Sequence, residues 1–118
     1  MVDSPFYRVD RNGLRRVHRT VVYFAQVVPD GLIKIGYSKN PCARFSSLTG
    51  DMGKLVVGRA ILDGSLREEQ ILHRHFAHLR QRGEWFKPAP ELLNFIEKIR
   101  RYDTFDDVEA AGLICNRR

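Results

Sequence analysis

The chain has 118 residues, 43% of them hydrophobic, enough for one domain with its own core and too few for two. Lys and Arg number 20 against 14 Asp and Glu, a formal net charge of +6, so long-range steering favours a polyanionic partner and makes nucleic acid the first candidate. An apolar run of about 18 residues, a cleavable leader and a CxxC pair are all missing, with Cys42 and Cys115 far apart; a soluble cytoplasmic protein without membrane partner, disulfide framework or cysteine zinc cage is expected.

Residues 1–19 read as a basic arm, with Arg8, Arg11, Arg15, Arg16 and Arg19 against Asp3 and Asp10 and little apolar periodicity. Arg15, Arg16 and Arg19 are candidate phosphate-backbone contacts, because each neutralised phosphate adds salt-dependent affinity. Residues 20–101 carry the folded domain. The run TVVYFAQVV from Thr20 to Val28 is β-branched and aromatic, Pro29-Asp30-Gly31 supplies turn chemistry, and LIKIGY follows; this predicts a β-hairpin. Asn40-Pro41 predicts the start of a short helix of about ten residues ending near Gly50, since Asn caps free amides and Pro is tolerated at the first helical position. Lys39 and Arg44 flank that start and are candidate nucleic-acid contacts.

KLVVGRAIL from Lys54 to Leu62 predicts a third strand, and Asp63-Gly64-Ser65 closes it and opens the next helix. From Ser65 to Arg82 there is no Gly or Pro, and Ile71, Leu72, Phe76 and Leu79 share one broad face; an amphipathic helix ending at Gly83 is predicted. A last helix is predicted from Pro90 to Arg101, with Leu92, Leu93, Phe95, Ile96 and Ile99 on its buried side. Residues 102–118 form a tail without an assigned element. The fold class that follows is α+β, a small three-stranded antiparallel sheet flanked by helices.

Several short motifs stand in fixed order: Val21-Val22-Tyr23, then ten residues, then Lys34-Ile35-Gly36, Arg44 eight positions later, Glu69-Gln70-Ile71-Leu72-His73, and Gly83-Glu84-Trp85-Phe86. Together they resemble the GIY-YIG nuclease superfamily, in the branch whose motifs read KIG, ExxLH and GEWF. The resemblance spans Val21 to Phe95 and implies a metal-dependent DNA endonuclease that hydrolyses phosphodiester bonds with one divalent ion, Mg²⁺ or Mn²⁺. Lys34 stands where the best-known members carry a second tyrosine, with Tyr37 just after Gly36, and Asn94 is only a positional counterpart of their late asparagine.

Phosphodiester cleavage needs a group that orients or deprotonates water, a cation that offsets charge on the phosphoryl oxygens, and usually a metal at the leaving oxygen. The resemblance assigns Tyr23 to the water, Arg44 to the phosphate and Glu69 to the metal, with Lys34, Tyr37 and His73 as further catalytic candidates and Glu84 in a secondary place. Because a tyrosine titrates at about 10, Lys34 on the paired strand or the metal is expected to lower Tyr23 if it is to act as a base. Each residue also has a plainer reading: Tyr23 as a packing aromatic, Arg44 as a solvated helix residue, Glu69 and His73 as a surface pair one turn apart. Periodicity alone does not choose between Glu68 and Glu69; the ExxLH register selects Glu69. His73 and His75, two apart on a helix, point about 200° from one another and cannot share one ion. The alternative to an enzyme is a catalytically silent nucleic-acid-binding module on the same fold. Cutting both strands with one site per chain would require a transient dimer on DNA or two encounters.

Overall fold

In the computed structural model the described residues are 8–9, 15–16, 20–100 and 105–113. Within the arm, β1 (Arg8–Val9) pairs antiparallel with β2 (Arg15–Arg16), so Arg15 and Arg16 are strand residues, while Arg19 lies outside the described residues. The main sheet contains β3 (Val21–Val27), β4 (Ile33–Ser38), β5 (Val56–Asp63), β6 (Arg80–Arg82) and β7 (Trp85–Phe86), in the spatial order β5-β3-β4-β7-β6 with every pairing antiparallel. Helices α1 (Pro41–Met52), α2 (Leu66–His75), α3 (Pro90–Ile99) and α4 (Phe105–Ala110) complete the described elements. The α+β class stands; the sheet has five strands, not three.

All seven residues of β3 are buried, because this strand lies between β5 and β4 and is covered on both faces. Strand alternation sends Val22 and Phe24 to a core with Leu72, Phe76, Phe95 and Ile99, and sends Tyr23, Ala25 and Val27 to a second core with Leu48 and Val56. Each large apolar side chain buried this way contributes roughly 1.5–3 kcal/mol relative to exposure. Gln26 is the one polar residue buried in β3. Its amide donates to the Gly31 carbonyl at 3.0 Å and accepts from Arg59 Nε at 2.9 Å, so neither end is left without a partner.

Asn40 caps α1 as the sequence predicts, its Oδ1 accepting the Ala43 amide at 3.2 Å with Pro41 at the first helical position. The helix runs through Gly50 to Met52 and stops at Gly53, which takes a left-handed φ of 65°. A glycine inside a helix costs about 1 kcal/mol against alanine, and the burial of Leu48 and packing of Met52 under the sheet offset it. Helix α2 ends at His75, well short of the predicted Arg82. Fully buried Phe76 packs edge-on against Phe95 there, and a 3-10 turn over Ala77–Leu79 redirects the chain into β6.

The hairpin β6–β7 supplies the two strands missing from the predicted sheet. Gly83, with φ 53°, makes its turn, and Arg80-Gln81-Arg82 is exposed throughout. A charged edge strand carries no alternating apolar pattern, so its sequence holds no strand signal. Helix α3 follows the predicted span closely. Beyond it, α4 places Val108, which is fully buried, in the core on the Val22 side, with Leu113 against it, so residues set apart as a tail contribute to packing.

Candidate functional site

The candidate residues meet at the edge of β4 where its pairing with β7 stops. Strand β7 pairs with Ile33 and Lys34, and the Ile35 amide still donates to the Glu84 carbonyl at 3.1 Å. The Ile35 carbonyl is instead taken by His73 Nε2 at 2.7 Å. Since a carbonyl only accepts, His73 carries its proton on Nε2, and α2 is tied to the open strand edge. Edge-on packing of His73 against Phe86 at 5.1 Å fixes the ring further.

One turn before His73, Glu69 is only 3% exposed, with Oε1 4.0 Å from His73 Nε2. Burial pushes its carboxyl up to about 7; the nearby Glu84 charge adds to the rise and Lys34 opposes it. Glu68 has a different task. It accepts from the Ser65 amide at 2.8 Å and the Ser65 hydroxyl at 2.9 Å, closing a capping box at the start of α2. Partial burial works to raise the Glu68 carboxyl, but the Ser65 and Arg67 hydrogen bonds outweigh it and hold the group below the ordinary range. The helix therefore uses Glu68 to build itself and leaves Glu69 to the site.

Tyr23 approaches from the other face of the sheet. It is in register with Gly36 on β4, and a Cβ at position 36 would stand 2.5 Å from the Tyr23 hydroxyl. The missing side chain lets the phenol lie across β4. Phe45 of α1 packs edge-on against the Tyr23 ring at 5.4 Å, and Phe45 in turn occupies the space a side chain on Gly58 would fill. Burial pushes the Tyr23 hydroxyl up to about 12; the Arg44 charge lowers it, while Glu84 and Glu69 raise it. This corrects the expectation that Lys34 would draw Tyr23 down: the cation acting on the phenol is Arg44, and burial dominates. At neutral pH Tyr23 is a proton donor with its hydroxyl intact.

Lys34 pairs with Glu84, Nζ to Oε1 at 3.4 Å, and lies 5.7 Å from the centre of the Trp85 ring. Arg44 is exposed on α1 and lines a shallow cavity of about 230 Å³ with Ser38, Asn40, Ala43 and Ser47. Lys39 is exposed in the link before that helix. The structure thus brings together Tyr23, Lys34, Arg44, Glu69, His73 and Glu84. Tyr37 is in register with Val22, alternates to the opposite face from Lys34 and Gly36, the face that α2 covers, and is 39% exposed. Asn94, on α3, lines a different hollow with Lys98 and with His75 of α2. The three histidines of the α2 region diverge, His73 to the Ile35 carbonyl, His75 to the rings of Phe76 and Phe95, and His78 to Glu91 at 2.7 Å. The sequence does not announce the pairing of Phe45 with Gly58, since nothing local marks a glycine on β5 as the seat of a ring from α1.

Among the described residues no group of three or more His, Cys, Asp or Glu side chains is gathered as a ready cage for a metal. The donor set instead suits a hard cation held by one carboxylate and completed by water or phosphate oxygens, as Mg²⁺ often is. Glu69 is the desolvated carboxylate, and the second negative charge of Glu84 makes added positive charge favourable there. No helix among the described residues is long and apolar enough to cross a membrane.

Comparison with known proteins finds one family. The model of the T5orf172 domain matches residues 20–101, which covers β3 through α3. Neither the curated proteins nor the solved structures contain a match. The match corrects the GIY-YIG resemblance, since the model that fits the motif-bearing segment is that of the T5orf172 domain. The chain belongs to the T5orf172 domain family.

Proposed function

We propose that this protein is a divalent-cation-dependent DNA endonuclease. The observation that carries the reading is the convergence of Tyr23, Arg44 and Glu69 from three different elements on one open strand edge, with Arg44 and Glu69 near enough for both charges to act on the Tyr23 hydroxyl. Packing alone does not need a 97%-buried carboxylate facing a second acid; sites that handle phosphate and cations do. The net charge of +6 supplies the attraction for a polyanion.

In this reading Arg44 offsets charge on the phosphoryl oxygens, and its place on a capped helix preorganises it. Tyr23, protonated at neutral pH, donates its hydrogen bond to position the attacking water or a phosphoryl oxygen and does not remove a proton. Glu69, with Glu84 beside it, would hold Mg²⁺ or Mn²⁺, and the ion would supply Lewis acidity to the phosphodiester. His73 positions Glu69's helix against β4 through its Nε2 proton, and Lys34 keeps Glu84 from adding its full charge to the site.

Supercoiled plasmid incubated with the purified chain and Mg²⁺ should be nicked, and EDTA should stop the reaction. Glu69→Gln should be inactive while Glu68→Gln, which still closes the capping box, stays active. Equal nicking in EDTA, or equal behaviour of the two variants, would defeat the reading. A tight gel shift without nicking would leave a silent binding module.

A further inference from the structure

On the face of the sheet that holds Tyr23, α1 covers chiefly β5 and touches β3 and β4 less. The other end of that face is built differently. Lys34 on β4, Trp85 on β7 and Arg82 on β6 are in direct register across three adjacent strands, so their side chains share this face. Arg82 is exposed and Trp85 half-buried, its inner side against the apolar cluster of Tyr23 and Ala25. A register shift between Arg80 and Arg82 separates the two edge arginines: Arg80 lies over Phe86 at 5.5 Å on the opposite face, and Arg82 remains with the tryptophan. The result is an indole with one cation on each neighbouring strand. With strands about 4.8 Å apart, Lys34 and Arg82 are separated by roughly 10 Å, the reach of a few nucleotides.

We propose that Trp85, flanked by Lys34 and Arg82, is a stacking platform for an unpaired base of a DNA strand whose phosphodiester lies at Tyr23 and Arg44. The inference rests on the nuclease reading above and adds to it the class of substrate, locally single-stranded DNA. An indole face gains from contact with the face of a base, which an unpaired strand offers and the inside of a duplex does not. The cations fit phosphates of the strand that runs past such a base, and Lys34 has its ammonium near both the ring and Glu84. The strip also adjoins the site directly, since Trp85 follows Glu84 and Lys34 precedes Ile35 by one residue.

Trp85 is the only tryptophan in the chain, so indole emission reports on this position alone. The whole protein is titrated in EDTA with a mixed-sequence DNA oligonucleotide and with its blunt duplex, and occupancy is followed separately by anisotropy of labelled copies. The single strand should quench the emission at saturation, and the duplex at equal saturation should leave it near its free value. Trp85→Phe should keep most of the single-strand affinity, Trp85→Leu should weaken it by roughly tenfold or more, and Arg82→Ala should lower the salt slope by about 0.7. Saturated binding with unchanged emission, or equal quenching by both DNAs, overturns the platform while leaving the nuclease reading in place. Flat anisotropy with both DNAs overturns the two together. If Trp85→Leu fails to fold, the wild-type emission decides.

Discussion

Replacing Glu69 by Gln should make the metal-free protein more stable at alkaline pH while removing the proposed cleavage activity. Glu69 is buried beside Glu84, and moving its carboxyl from 4.5 to about 7 costs the charged form about 3 kcal/mol. Below 4.5 the group is protonated in both the folded and unfolded chain and contributes no difference. As pH rises the unfolded chain loses the proton first, so stability falls from 4.5 through about 7 and then levels. The amide has the same shape without the charge, and at pH 8 it should recover most of that cost, roughly 10 °C in Tm for a chain of this size. Thermal unfolding in EDTA at pH 8 and pH 4, variant against wild type at each pH, isolates this one group from the other carboxylates. A gain at pH 8 that vanishes at pH 4, together with a loss of nicking by about two orders of magnitude or more, separates a functional charge from a structural one. A variant destabilised at pH 8, or shifted equally at both pH values, would refute the burial argument.

Gly36→Ala should cost roughly 1–3 kcal/mol and displace Tyr23, because the added methyl meets the phenol; urea unfolding checks the first and loss of nicking the second. Arg44→Ala should lower turnover by about two to three orders of magnitude with an unchanged Tm, since the side chain is exposed; cleavage at the wild-type rate would return it to the solvated surface. Lys34→Met should move the acid limb of the activity profile to higher pH, because Lys34 holds the Glu69 carboxyl down and its removal delays deprotonation; a profile that keeps its position while only its maximum falls would refute that link. Tyr23→Phe should reduce the rate without introducing or removing a titration between pH 6 and 9, as a hydroxyl pushed up to about 12 stays protonated throughout that range.

The central hairpin, α1 and α3 were legible because each is written locally. Residues 21–27 are a run that suits a buried strand, Asn40-Pro41 states its own cap, and the apolar positions of 92–99 repeat at helical spacing. The short motifs point to GIY-YIG while the match over residues 20–101 is to the T5orf172 domain, because a few residues each, such as KIG or GEWF, constrain a site more than an ancestry and the match draws on the whole segment. The sequence carries α2 too far, since nothing in His75 to Arg82 breaks a helix. Its end comes from Phe76 being drawn into the core and from a β6–β7 pairing that exists only once both strands are in place.

By itself, then, the sequence determined which chemical groups are available, their charge balance, and the elements carrying most of them, because propensity, capping and periodicity act over a few residues. Tertiary structure decided which groups meet and in what state. Glu68 and Glu69 are neighbours in sequence, yet one closes a cap at the surface and the other is buried with its carboxyl raised. Lys34 and Arg44 are both cations near Tyr23 in the chain, but Lys34 pairs with Glu84 from a hairpin far downstream while Arg44 acts on the phenol. The reason is physical: electrostatic influence depends on distance in space and on exclusion of water, and neither exists until the sheet and helices have closed around the edge of β4.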